Sequence, residues 1–214
     1  MKKFALVFLA AGFTALTSCQ NNVSEHETAE TTTTENAATE EVPTMDSAAA
    51  MQAWMEYMTP GDMHNMLASF NGKWEGAITM WMGPDAPPET NTGTSENKMI
   101  FDGRYQESVY KGDFGGMPFE GRSITAYDNA KKMFLSTWID NMGTGIMYME
   151  GPWDEATKTM NLKGKMVDPM SAGKEIDVRE TLQIIDENTQ KMEMFHTKNG
   201  KEFKAMEIMY KRKK

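Results

Sequence analysis

From Gly72 to the end of the chain, apolar residues recur at every second position, in run after run, with no intervening helical period. This alternation constrains the fold most, because a period of two puts successive side chains on opposite faces of a strand. Trp74, Ile78, Met80 and Met82 alternate with Lys73, Glu75, Ala77 and Thr79. Strand-like runs are predicted over Ser95 to Phe101, Tyr105 to Lys111, Phe119 to Tyr127, Met133 to Asp140 and Thr144 to Glu150. Others follow over Thr159 to Val167, Lys174 to Ile185, Lys191 to Thr197 and Phe203 to Lys211. Turn signals separate them, among them Asp102-Gly103, Gly115-Gly116, Gly151-Pro152 and Asn199-Gly200. A meander of about ten antiparallel strands removes its two open edges by closing into a barrel, so an all-β antiparallel barrel is expected.

Residues 46–71 read differently. Met51, Trp54, Met55 and Met58 recur at helical spacing behind Asp46 or Ser47, either of which can cap a helix. Thr59-Pro60-Gly61 stops that helix, and Asp62 can cap a second one carrying Met63, Met66, Leu67 and Phe70. This helical segment is expected to pack on the barrel of residues 72–214 and plug one mouth.

The N-terminus carries an address. Lys2 and Lys3 precede an apolar run from Phe4 to Leu16, which is shorter than the roughly 20 residues of a membrane span. Leu16-Thr17-Ser18-Cys19 resembles the lipobox of bacterial lipoproteins, in which the chain is cut before the cysteine and the cysteine is acylated. Residues 1–18 are thus read as a signal peptide and Cys19, the only cysteine, as the lipidation site that anchors the chain to a membrane. Gln20, not Asp, follows the cysteine, as in lipoproteins sent to the outer membrane. Residues 19–45 are rich in Thr and Glu with almost no large apolar side chain, the composition of a disordered tether. Seven carboxylates and no Lys or Arg lie between residues 20 and 46, so most of the formal net charge of −9 belongs to this stretch. The remainder is mildly acidic, which argues against nucleic acid as a partner.

Several segments strongly resemble the DUF1579 family, a bacterial group named only as a domain of unknown function. They are Thr59-Pro60-Gly61 with His64, Gly72-Lys73-Trp74, Trp81 to Pro88, Gly116 to Gly121, Tyr127-Asp128-Asn129 and Thr137 to Gly145. The resemblance implies a calycin-like barrel similar to lipocalins and nitrobindins, and it brings no agreed catalytic residues.

Candidate sites follow from the faces. Phe134, Ser136, Trp138 and Asp140 share one strand face, and Met192, Met194 and His196 share another. Pointing inward, these would line an apolar pocket with a few polar groups, with Trp74 beside them and Arg122 pairing Asp140 at the rim. The expected function is binding of a small apolar or amphipathic ligand without a cofactor. The alternative is a structural or interaction module of the envelope whose barrel is filled. Two weaker readings remain. Met63, His64 and Met66 hold the soft ligands that select Cu(I), and His196 is the one inward candidate to ligate haem. No nucleophile accompanies a base at a telling position, and carboxylate pairs such as Asp113 with Glu120 read as solvated charges, so no catalytic residue is assigned.

Overall fold

The computed structural model describes residues 45–169 and 172–214. The signal peptide, Cys19 and nearly all of the tether lie outside the described residues. Among the described residues two helices, α1 (Ser47–Met58) and α2 (Asp62–Ser69), precede the strands. Eleven strands follow: β1 (Gly72–Met80), β2 (Glu89–Ile100), β3 (Tyr105–Phe114), β4 (Met117–Asp128), β5 (Met133–Asp140), β6 (Met147–Gly151), β7 (Trp153–Asp154), β8 (Thr159–Asp168), β9 (Lys174–Asp186), β10 (Thr189–Lys198) and β11 (Lys201–Arg212). The sheet runs β6-β5-β4-β3-β2-β1-β11-β10-β9-β8-β7, and β6 also pairs with β8. That last pairing closes the sheet. The two-residue β7 continues β6 past Pro152 and stays on β8, so the barrel has ten staves, all antiparallel.

Closure depends on a short seam. Tyr148, Met149 and Glu150 face Lys165, Gly164 and Lys163. A Cβ at Gly164 would collide with the Tyr148 carbonyl, and one at Gly151 with the Asn161 carbonyl. In both cases the obstacle is backbone, which cannot rotate aside. Glycine at these two positions lets β6 and β8 approach within bonding distance.

Helix α2 seals one end. Leu67 and Phe70 are buried against the strands. The carbonyls at its C-terminus, which have no partner within the helix, are satisfied from the barrel. Gln106 Nε2 donates to the Leu67 carbonyl, and both Trp74 Nε1 and Asn97 Nδ2 donate to that of Phe70 at 3.0 and 3.2 Å. Arg212 reaches the Ser69 and Asn71 carbonyls at 2.8 and 2.7 Å while its guanidinium lies over the Trp74 ring. At the N-terminus Gly61, not Asp62, is the cap residue, and its N–H donates to Nδ1 of His64.

Helix α1 departs from expectation. Asp46 caps it, accepting from the N–H groups of Ala48 and Ala49, but it buries no residue. Its Met51, Trp54 and Met55 stay exposed, and its C-terminal end is held by the Asn129 amide, which donates to the carbonyls of Tyr57 and Thr59. Only α2 packs into the barrel. The apolar stripe on α1 had the spacing of a buried face without a partner to bury it.

The closure argument has a direct test. Gly164→Val forces its side chain into the β8–β6 seam and should cost about 3 kcal/mol or more. Urea unfolding followed by circular dichroism should show a markedly lower midpoint. Wild-type stability would mean that the seam does not hold the barrel.

Candidate functional site

The barrel encloses a cavity of about 1510 Å³, sealed by Leu67, Phe70 and Trp74 and open at the opposite end, where exposed Asp113, Met142, Lys174 and Lys198 border it. Its hollowness follows from side-chain size. Between large inward side chains such as Ile78, Tyr110 and Trp138, inward positions on β1 to β5 include Gly76, Gly93, Gly112 and four buried serines, Ser95, Ser108, Ser123 and Ser136. These residues leave space that larger side chains would fill. The facing wall, on β6 and β8 to β11, carries Met149, Met160, Met192, Met194 and Leu162. Among the described residues ten methionines line the cavity, so much of the chain's unusual complement of 22 goes into its wall. Methionine is unbranched and polarizable, which makes such a wall adaptable to ligand shape.

A polar cluster interrupts the apolar lining. Tyr110 and Tyr210 are hydrogen-bonded to each other, with Ser108 and Ser123 beside Tyr110. Burial raises both phenol pKa values, so they are neutral donors at ordinary pH. Glu180, on β9 between Leu162 and Met194 of the flanking strands, faces the same space. Burial alone pushes its carboxyl up to about 7, with no neighbouring cation to oppose the shift. Gln190 Nε2, Asn97 Oδ1 and His196 Nε2 are buried without a hydrogen-bond partner and belong to residues lining the cavity.

The residues singled out from the sequence fall in four places. Trp138 and Asp140 stand together near the mouth. Trp138 Nε1 donates to Asp140 at 2.6 Å, and the other carboxylate oxygen accepts from the N–H groups of Met142 and Gly143. Trp138 stacks on Phe119 and packs against Tyr110, and the absence of a side chain at Gly121 makes room for its ring. Trp74 and Phe134 lie deeper. Trp74 borders the sealed end of the cavity, whereas Phe134 is fully buried in the core among Tyr127 and Trp153 and is no part of the cavity wall. Arg122 points outward. It pairs with Glu120 at 3.2 Å and Glu107 at 3.9 Å, not with Asp140, because it alternates with the inward Ser123. His196 lines the cavity with its ring edge-on to Phe203, and burial holds its pKa below the usual histidine value, Asp168 acting in the opposite sense.

Met63, His64 and Met66 are engaged in other contacts. Both imidazole nitrogens of His64 are engaged, Nδ1 by the Gly61 N–H and the other by the Tyr127 backbone, while the two methionines pack into the core. His64 is a helix-capping residue. No cluster of three or more His, Cys, Asp or Glu suited to a metal occurs among the described residues.

Glu180, Tyr110, Tyr210 and Gln190 were missed as site residues. For Glu180 the signal was present. In Ile176, Val178, Glu180, Leu182 the period of two places a carboxylate on an otherwise apolar inward face.

This carboxylate sets a pH dependence. Unfolded, Glu180 titrates near 4.5; folded, near 7. The folded state therefore holds the proton more tightly, and stability falls as pH rises from 4.5 through 7 and levels off above. The loss amounts to at most about 3 kcal/mol. Glu180→Gln should remove this leg, so chemical unfolding of the variant and wild type should diverge across that window. Parallel curves would place Glu180 in contact with open water.

A family model described as a protein of unknown function (DUF1579) matches residues 59–212. No curated protein matches the chain. Among solved structures, Rv2717c from M. tuberculosis superposes with a TM-score of 0.54 at 9% identity, over 73% of this chain and 100% of that one. A redesigned β-barrel superposes with a TM-score of 0.39 at 12% identity, over 72% of this chain and 100% of that one. The likeness to Rv2717c is one of fold alone.

Proposed function

The chain belongs to the DUF1579 family, whose description assigns no activity, and we propose from the cavity that it binds a small apolar or amphipathic ligand inside the barrel. One observation carries this reading: an interior of about 1510 Å³, open at one end and walled mainly by apolar side chains. Ligand sites are concave and mostly apolar with a few placed polar groups, and Glu180, Tyr110, Gln190 and the Trp138–Asp140 pair supply such groups. The rival reading, a structural module of the envelope with a filled barrel, has no support from this interior. In the same proposal Cys19 carries acyl chains, holds the protein at the cell envelope, and leaves the barrel to take up ligand at the membrane surface.

Two measurements test these points. Native mass spectrometry of the protein from its own host should show a retained small molecule in the lipophilic range. A protein consistently free of any adduct, which also takes up no apolar dye, would contradict ligand binding. Labelling cells with radioactive palmitate should mark the wild-type protein and not Cys19→Ser; equal labelling, or none in either, would remove the anchor.

A second reading, haem binding, is favoured by His196 alone, whose Nε2 is buried, unpartnered and part of a cavity-lining residue. A lone histidine is a recurrent haem ligand. Added haem should then give a shifted Soret band that His196→Ala abolishes, and a free-haem spectrum with the wild type would dismiss the idea.

A further inference from the structure

Glu180 is an acid deep in the cavity with nothing opposite it. No hydrogen bond or ion pair reaches its carboxyl from any described residue, and only burial perturbs it. The titratable groups lining the same space include Tyr110 from β3, Tyr210 from β11 and His196 from β10, of which the two phenols feel the Glu180 charge directly, and the further carboxylates of Asp113, Asp140, Asp168, Glu175 and Asp177. No arginine among the described residues lines the cavity. The lysines that border it, Lys111, Lys165, Lys174 and Lys198, are all exposed and belong to the ends of strands at the mouth or just below it. The interior therefore has a fixed site for one positive charge and none for a negative one. A carboxylate ligand entering head first would meet the Glu180 carboxylate without a counter-ion, an arrangement in which burial of like charges is strongly unfavourable.

Resting on the ligand-binding reading above, we propose that the ligand is an amphipathic amine, whose ammonium pairs with Glu180 and whose hydrocarbon chain lies along the methionine wall. The ammonium has three donors. Glu180 accepts one, and the hydroxyl oxygens of Tyr110 and Tyr210, which feel the Glu180 charge and line the same cavity, offer further acceptors. The Tyr110 ring, together with Trp138 at 5.1 Å from it, adds aromatic surface to which a cation is attracted. Met149, Met160, Met192 and Met194 then adapt to the chain.

Three probes of equal chain length separate the possibilities: dodecylamine, dodecanol and dodecanoate, each titrated calorimetrically into the full chain at pH 8 below its micelle-forming concentration. Dodecylamine should bind about tenfold more tightly than dodecanol, because its ammonium gives a partner to a carboxylate that folding has already buried, with dodecanoate weakest. Glu180→Gln should bring the amine to within about threefold of the alcohol, both measured on the variant, whose unchanged circular dichroism spectrum shows that it is folded. Dodecanoate binding as tightly as the amine, or an amine affinity unchanged in Glu180→Gln, would overturn the inference while ligand binding itself survives. Failure of all three probes to bind would instead remove the ligand-binding reading, and this one with it.

Discussion

Three residue pairs along the β6–β8 seam give this chain an inside. Without them the sheet is a ten-stave ribbon with two free edges, and edges of that length invite pairing with other chains. With them, every inward side chain becomes a wall. The seam is short because β6 is short, and it is made possible by glycine at positions 151 and 164, where the staves come closer than any side chain would permit. Helix α2 depends on the same closure. Its seat is the ring formed by Trp74, Asn97 and Gln106 on β1, β2 and β3 and Arg212 on β11, and those four residues complete the hydrogen bonding of its last turn.

What the wall encloses is decided by side-chain volume. Small residues on β1 to β5 face methionines and aliphatic residues on the opposite staves, and the difference remains as open space. A barrel meant to be filled would place large side chains on both sides, since protein interiors otherwise pack as densely as organic crystals. The methionine content, which composition alone did not place, acquires a location: a flexible apolar surface facing the cavity.

Much of the fold was legible because a half-buried strand leaves a period-two mark. The run from Met133 to Asp140 matches β5 end to end, and the last stave is recovered to within two residues. The N-terminal half of β2 was not legible. Its inward residues are Asn91, Gly93 and Ser95, which carry no apolar alternation, since their task is to leave room. The Trp138–Asp140 pair was legible from its shared face, but the outward direction of Arg122 needed the register of β4 against β3 and β5. Phe134 shares that face as well, yet ends in the core, because faces are set by sequence and depth by the tilt and stagger of the staves. His64 shows the same limit: its spacing among methionines gave no sign that both of its nitrogens would be taken by backbone.

The central claim is that the barrel interior is hollow and reachable. Methyl-labelled methionine NMR tests it most directly, because methionines both line the cavity and lie outside it. On addition of dodecanol, the resonances of Met149, Met160, Met192 and Met194 should move together and saturate at one equivalent, while those of Met51 and Met55 on exposed α1 stay in place. Movement confined to the α1 methionines, with the wall methionines unchanged, would contradict a hollow barrel.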